Sequence, residues 1–110
     1  MGVQKITKIK GDCKTYPKSG QKVTVHYTGY LGSIGGKKFD SSLDRKEPFS
    51  FTLNQGEVIA GWDIGIAKMS LGEKAYLICS HDVAYGAGGS PGVIPPYTSL
   101  IFEIKLLKIK

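Results

Sequence analysis

Apolar and polar residues alternate along most of this chain, with the two-residue period that is typical of β-strands. The segments with this alternation are 3–9, 22–31, 38–40, 49–53, 75–79 and 99–109. The first is the weakest and is expected at an edge of the sheet. Both faces of the fifth are apolar, which predicts a central strand.

One stretch has the period of a helix instead. The apolar residues with this spacing are Val58, Ile59, Trp62, Ile66 and Met69. They predict one short helix over 58–66 that covers one face of the sheet. The predicted fold class is therefore α+β, a twisted antiparallel sheet of five to six strands wrapped around one short helix. Trp62, the single tryptophan, either fills the core or forms part of a pocket.

Residues 81–97 follow neither period and contain four glycines and three prolines. A loop of this length with no regular structure of its own is normally functional or disordered. Its apolar residues, which include Val83, Tyr85 and Ile94, favour a packed functional loop.

The length of 110 residues predicts a single domain, 1–110, that can bury a core without staples. No stretch approaches the roughly 20 apolar residues of a membrane span. The first residues contain no apolar signal core, so the cytosol is the expected compartment. Of the two cysteines, Cys79 lies in an apolar run and is expected to be buried, and both thiols are expected to be reduced. We expect a monomer.

The net charge of +6 raises the question of nucleic acid. The basic residues are scattered lysines together with one arginine, Arg45, and arginine is the residue that reads guanine bidentately. The pattern favours a solvated surface over nucleic-acid binding. A nonspecific affinity for polyanions is kept as an alternative.

The side chains needed for acid–base, nucleophilic or metal chemistry are not grouped in this sequence. The two histidines, His26 and His81, lie in unrelated segments, with no nucleophile motif beside either. Histidines and cysteines do not have zinc-site spacing, and the glycines at 86–89 are not followed by the lysine of a phosphate-binding loop. No metal or cofactor is expected.

Aromatic residues are the remaining candidates. Six rings are assigned to the inner side of the fold: Tyr27, Phe39, Phe49, Trp62, Tyr85 and Phe102. Each could simply fill the core, but six large rings in a small core are expected to leave a concavity. An aromatic pocket with few polar groups suits an apolar ring ligand whose carbonyl is fixed by a few donors.

Several short motifs together point to one family. They are Val25-His26-Tyr27-Thr28-Gly29, Lys38-Phe39-Asp40-Ser41-Ser42, Glu57-Val58-Ile59, Gly61-Trp62-Asp63, Ala84-Tyr85-Gly86-Ala87 and Ile94-Pro95-Pro96. In this order they cover nearly the whole chain, and the chain resembles a small single-domain FKBP-type peptidyl-prolyl cis-trans isomerase, a macrolide-binding immunophilin. Leu43 departs from the family pattern, which often has a charged residue at this position.

The resemblance implies a role for each pocket residue. The implied catalytic residues are Tyr27, Phe39, Asp40, Trp62 and Tyr85. Trp62 would form the floor under the proline ring, and the walls would be Tyr27, Phe49, Val58, Ile59 and Phe102.

The resemblance also implies the polar contacts of the pocket. The Tyr85 hydroxyl and the Ile59 backbone N–H would donate to carbonyl groups, and the Glu57 carbonyl would accept from macrolide hydroxyls. Asp40 would be held by Arg45 and Tyr27. Val93 and Ile94 would contact ligands at the rim.

The function implied by the resemblance is acceleration of Xaa-Pro bond rotation in proteins by non-covalent desolvation and twisting of the amide. The implied partners are proline-containing protein segments, tacrolimus- and rapamycin-type macrolides and, through the macrolide complex, calcineurin or a TOR-type kinase. Two other readings stay open: a module that only docks proline-containing segments, and the basic polyanion binder.

Overall fold

The computed structural model describes residues 2–86, 88–89 and 94–110. Within these residues the chain forms six strands and one α-helix. In chain order they are β1 (Val3–Ile9), β2 (Lys22–Leu31), β3 (Lys38–Ser41), β4 (Phe49–Thr52), α1 (Ala60–Ile66), β5 (Lys74–Cys79) and β6 (Leu100–Ile109). The predicted α+β class, with one short helix on an antiparallel sheet, is confirmed.

The strands form one antiparallel sheet in the order β1-β5-β6-β2-β3, and β4 also pairs with β2. The edge position predicted for the first strand and the central position predicted for the fifth are both confirmed. The long strand β2 pairs with β6 along one side. Along its other side it pairs with β4 near Lys22–Val25 and with β3 near Thr28–Tyr30.

The core lies between α1 and the inner face of this sheet. The alternation in the last strand is confirmed, since every inward side chain of β6 is buried. These residues are Leu100, Phe102, Ile104 and Leu106. Each fully buried aliphatic side chain of this kind contributes roughly 1.5–3 kcal/mol to stability. Cys79 is buried as predicted, and it and the exposed Cys13 are free thiols.

The helix begins later than the sequence pattern predicts. It starts at Ala60, and Ile59 is the extended residue before it, with a ψ of 150°. The carbonyl of Ile59 accepts the first helical hydrogen bond, from the N–H of Trp62 at 3.0 Å. Val58 and Ile59 therefore belong to a turn, and their apolar side chains face the same side as the helix without being part of it.

Two glycines allow α1 to lie close against β5. A Cβ at Gly61 would lie 2.5 Å from Sγ of Cys79, and a Cβ at Gly65 would lie 2.7 Å from Cδ1 of Leu77. Contacts this short are not possible for real side chains, so the helix keeps its position only with glycine on this face. The close approach fixes the height of Trp62 above the sheet.

The long loop predicted at 81–97 contains some regular structure, so the prediction of none was wrong. His81–Val83 form a 3₁₀ helix. Ile94 forms a single bridge and is buried in the core. Val93, predicted at the rim, lies outside the described residues. No helix in the described part of the chain has the length and apolar character needed to cross a bilayer.

Candidate functional site

An open cavity of about 200 Å³ lies at one end of the helix, between α1 and the strands. Ten of the thirteen predicted site residues line it: Tyr27, Phe39, Asp40, Phe49, Glu57, Val58, Ile59, Trp62, Tyr85 and Phe102. Of the other three, Arg45 contacts two lining residues, Ile94 is buried in the core, and Val93 is not described. Most of the residues implied by the family resemblance thus lie around one cavity, and their roles in binding and catalysis stay predictions.

Separate elements of the fold each carry a small part of the wall. β2 carries Tyr27, and β3 carries Phe39 and Asp40. β4 carries Phe49, and β6 carries Phe102. Because β2 pairs with all three of the other strands, it brings their inward side chains to one place. The turn before α1 and the loop after the 3₁₀ helix close the remaining sides.

Trp62 is the centre of the aromatic packing. Its ring centroid lies 4.9 Å from that of Tyr27, 5.2 Å from that of Phe102 and 5.9 Å from that of Phe49, each at a steep edge-to-face angle. Edge-to-face pairs of this kind add about 0.5–1.5 kcal/mol beyond their burial. Trp62 is only 5% exposed, so it fills the core and also lines the cavity.

Phe51 packs against Trp62 and was not among the predicted site residues. Its ring lies 5.8 Å from that of Trp62, and it is buried. The indole Nε1 of Trp62 has no hydrogen-bond acceptor among the described residues. The alternation of Phe49 and Phe51 placed both rings inward, but alternation alone does not tell which of them reaches the cavity.

The polar part of the cavity is a closed triangle of hydrogen bonds. The Tyr27 hydroxyl donates to Oδ2 of Asp40 at 2.6 Å, and Arg45 donates to Oδ1 of the same carboxylate. A second nitrogen of Arg45 donates to the Tyr27 hydroxyl at 2.8 Å. Both carboxylate oxygens are therefore already in use, and the three side chains hold one another in place.

The triangle also fixes the charge of Asp40. Burial acts to raise the pKa of this carboxyl, but the hydrogen bonds from Tyr27 and Arg45 outweigh it, and the pKa is lowered. Burial, with the hydrogen bond to Asp40, raises the pKa of the Tyr27 phenol. Asp40 therefore stays ionised and Tyr27 stays protonated at neutral pH, so neither exchanges a proton readily with a ligand.

We predict that Arg45→Met raises the Asp40 pKa, because the substitution removes a hydrogen bond and a positive charge from the carboxylate. Titration of the carboxyl carbon by ¹³C NMR measures this directly. Arg45→Lys is the matched control: it keeps the charge but loses the second donor, so we expect a smaller rise. An Asp40 pKa that stays the same in Arg45→Met would show that Arg45 does not hold the carboxylate.

Two residues that line the cavity carry potential donors to a carbonyl group. The N–H of Ile59, in the turn before the helix, has no acceptor within the described chain. Tyr85 lines the cavity, as the family resemblance implies, but it is 45% exposed and therefore does not lie inward in the way the other five rings do. It lies in an irregular loop, where the alternation used to assign inward residues does not apply.

The turn that carries Val58 and Ile59 is held from both ends. Oδ1 of Asp63, in the first turn of the helix, accepts from the N–H of Asn54 at 2.9 Å. Oε1 of Glu57 accepts from the N–H of Thr52 at 3.1 Å. Asp63 was not predicted to act at the site, although an acidic residue in a first helical turn is a recognisable signal.

The histidines lie outside the cavity wall. Nδ1 of His26 contacts the Ser42 hydroxyl at 2.8 Å on the other face of β2. The ring of His81 packs edge-on against Tyr97, 5.3 Å between centroids. Within the described ranges, no group of three His, Cys, Asp or Glu side chains could hold a metal ion.

The sequence has close full-length relatives among characterised proteins. Residues 13–107 match the family described as FKBP-type peptidyl-prolyl cis-trans isomerase. The chain is 59% identical over 110 residues to the Drosophila melanogaster protein named peptidyl-prolyl cis-trans isomerase Fkbp12, covering 100% of both chains. It is 54% identical, again over 100% of both chains, to peptidyl-prolyl cis-trans isomerase FKBP1A of Xenopus laevis.

Proposed function

The chain belongs to the FKBP-type peptidyl-prolyl cis-trans isomerases, and from this premise we propose that its aromatic cavity binds proline-containing segments and rotates the Xaa-Pro bond without covalent chemistry. We also propose that residues 1–110 act as one isomerase domain. The observation that carries the proposal is the cavity itself, a small aromatic-walled site in which both oxygens of the Asp40 carboxylate already accept hydrogen bonds.

The shape and lining of the cavity support a proline ring as its occupant. A volume of about 200 Å³ is large enough for a small apolar ring. We propose that the ring lies on Trp62, between Tyr27 and Phe49 on one side and Phe102 on the other. Val58 and Ile59 supply the aliphatic part of the wall, as is usual for sites that take apolar ligands.

The proposed chemistry follows from the resonance of the amide bond. Partial double-bond character makes rotation about C–N difficult, with a barrier of about 18–20 kcal/mol. Resonance also makes the carbonyl oxygen more negative, so water stabilises the planar form. Apolar walls remove this solvation, and a site that fits the twisted amide better than the planar one lowers the barrier.

We propose that the polar groups orient the substrate carbonyl. The N–H of Ile59 and the hydroxyl of Tyr85 are available donors at the cavity edge, and Phe39 and Asp40 flank the same region. Because Asp40 stays ionised within its hydrogen-bond triangle, we give it an electrostatic and positioning role. No proton transfer is needed, since no bond is made or broken.

A protease-coupled or NMR exchange assay on a peptide with an apolar residue before proline tests the activity. Uncatalysed isomerisation takes tens to hundreds of seconds, so acceleration by catalytic amounts of protein is easily measured. We expect the rate to rise in proportion to protein concentration. Trp62→Ala, which removes the proposed floor, should abolish most of this rise while leaving residual binding of the peptide backbone.

We further propose that the same cavity binds tacrolimus- and rapamycin-type macrolides, and that the macrolide-bound surface can recruit calcineurin or a TOR-type kinase. In that complex Glu57, which lines the cavity, would accept hydrogen bonds through its backbone carbonyl. Competitive loss of isomerase activity on macrolide addition would support the proposal.

The single tryptophan gives a direct test of where such a ligand binds. Trp62 lines the cavity and is almost fully buried, so a ligand on its open face should change its fluorescence intensity. We expect a saturable change on macrolide titration, with the same midpoint as the inhibition. Inhibition without any fluorescence change would place the ligand away from Trp62.

A further inference from the structure

A second concave surface lies on the outer face of the sheet, on the side of β2 opposite the aromatic cavity. It encloses about 270 Å³. We call it the outer groove, and its lining residues are His26, Tyr27, Thr28, Leu43, Lys74, Glu103, Lys105 and Leu107. The isomerase function assigns no role to it.

Two lysines and a histidine cross this surface in a row. Lys74 of β5 lies directly opposite Lys105 of β6, and His26 of β2 lies directly opposite Lys105 on the other side. Like charges at directly opposed positions of neighbouring strands destabilise a sheet. A pairing of this kind is unfavourable in the free protein and becomes favourable when an anion lies over it.

The acid beside this row is already neutralised. Glu103 pairs with Lys8 at 2.5 Å, and Lys74 lies at 3.8 Å from the same oxygen. In the described part of the chain, Lys105 has no carboxylate within ion-pair distance, and Nε2 of His26 has no hydrogen-bond partner. The outer groove therefore carries excess positive charge at its centre.

Aliphatic side chains flank the basic row. Leu43 lines the groove from the loop after β3 and is 56% exposed, although a leucine at a solvated turn gains nothing from exposure. Leu107 lies half-buried on the β6 side. A partner that fits this groove therefore needs both an aliphatic side chain and negative charge.

We propose that the outer groove docks an acidic peptide segment that carries a leucine-sized aliphatic side chain. The aliphatic side chain lies between Leu43 and Leu107, and the flanking carboxylates lie over Lys105 and Lys74. A nucleic acid would use the lysines but leave the leucines without a partner, and the groove contains no arginine for bidentate phosphate contacts. The charge and the apolar contact together favour a peptide.

The test is an NMR titration of the isotope-labelled protein with the blocked peptide Asp-Glu-Leu-Glu-Asp. We expect the largest shift changes at Leu43, Lys105 and Leu107, in the presence and absence of a macrolide, because these residues line the groove and not the cavity. Replacing the peptide's leucine by glycine, or its acids by amides, should weaken binding. Since docking is read without any isomerase assay, failure of the isomerase proposal and failure of this one are distinguishable.

Charge reversal separates docking from folding. Lys105→Glu places a carboxylate opposite Lys74, so we expect the stability of the protein to stay the same or rise. We expect its affinity for the peptide to fall by about tenfold or more. Lys108→Glu is the matched control: it makes the same change on the same strand, opposite Thr24 and outside the groove. It should retain most of the affinity.

Three results would overturn the proposal. The absence of shift changes at millimolar peptide would show that the groove does not bind it. An equal loss of affinity in Lys105→Glu and Lys108→Glu would show that binding depends only on the net charge of the protein. A short oligonucleotide that shifts the same residues more strongly than the peptide would assign the groove to polyanions instead. Localised shifts that depend on leucine and on Lys105 support the peptide.

Discussion

The Glu73→Ala variant is expected to lose about 3 kcal/mol of unfolding free energy, because a buried and fully hydrogen-bonded carboxylate is removed. Glu73 is only 4% exposed. One of its oxygens accepts from the Lys5 ammonium and the Thr7 hydroxyl, both at 2.8 Å. The other accepts from the buried N–H of Ser70 at 3.0 Å.

This carboxylate joins two parts of the fold that are distant in sequence. Lys5 and Thr7 lie on the edge strand β1, whereas Ser70 and Glu73 form the turn that follows the helix. Removing the carboxylate leaves the buried N–H of Ser70 without this acceptor. The Lys5 ammonium then keeps only its hydrogen bond to the Lys68 carbonyl, at 3.0 Å. The loss combines an unsatisfied donor with a broken ion pair, so it should exceed that of a surface substitution.

Urea unfolding at neutral pH measures the effect, and Asp44→Ala is its control. Asp44 also pairs with a lysine, Lys38, at 2.7 Å, but both side chains are about half exposed. Surface pairs of this type contribute roughly 0–1 kcal/mol. Equal losses in the two variants would contradict the structural role given to Glu73.

The pH dependence gives a second readout of Glu73. Burial acts to raise its pKa, but the hydrogen bonds from Lys5, Ser70 and Thr7 outweigh it and lower the pKa from the ordinary value of 4.5. A lowered folded-state pKa contributes stability above the unfolded value, and this contribution is lost as the pH falls through the folded value. The difference in unfolding free energy between the native protein and Glu73→Ala should therefore decrease below about pH 4.5.

Most of the sheet could be predicted because the two-residue period is a local property of the chain. The same reasoning was wrong about the start of the helix, since apolar spacing cannot distinguish a helix from a turn that presents the same face. The burial of Glu73 could not be predicted from the sequence at all. Nothing in its neighbourhood in the sequence indicates that an acid four residues after Met69 is buried against the first strand.

The candidate site divides in the same way. Inward rings on separate strands predicted a concavity, which the structure contains, and alternation placed Tyr27 and Phe102 correctly. The exposure of Tyr85 could not be predicted, because its loop has no period. The triangle around Asp40 followed from the family resemblance and not from spacing, since hydrogen-bond geometry depends on how β2 and β3 pair.

Gly29 is the residue whose importance to the cavity only the packing reveals. It lies on the inner face of β2, directly opposite Asp40 on one side and Phe102 on the other. A Cβ at this position would lie 2.6 Å from Cζ of Phe39 and 3.1 Å from Cε1 of Phe102. Both cavity rings therefore lie over a strand position that must carry no side chain.

We predict that Gly29→Ala lowers kcat/KM for Xaa-Pro isomerisation by about 100-fold, because a displacement of about 1 Å in a positioned group can have an effect of this size. The contact is with the far end of the Phe39 side chain, which is only half-buried and can move. The ring should therefore shift within the cavity while the fold survives. Unfolding by urea should show a much smaller change than the isomerase assay.

Two further variants show whether Gly29 acts through Phe39. At Gly88 a Cβ would meet no atom of the described residues within 4 Å, so Gly88→Ala should leave activity close to that of the native protein. In a double-mutant cycle, Gly29→Ala should add little to the loss caused by Phe39→Leu, because the smaller side chain removes the clash. Fully additive losses would mean that Gly29 affects catalysis by a route that does not involve this ring. Losses that are far from additive would show instead that this strand glycine belongs to the site because of where the Phe39 ring needs to lie.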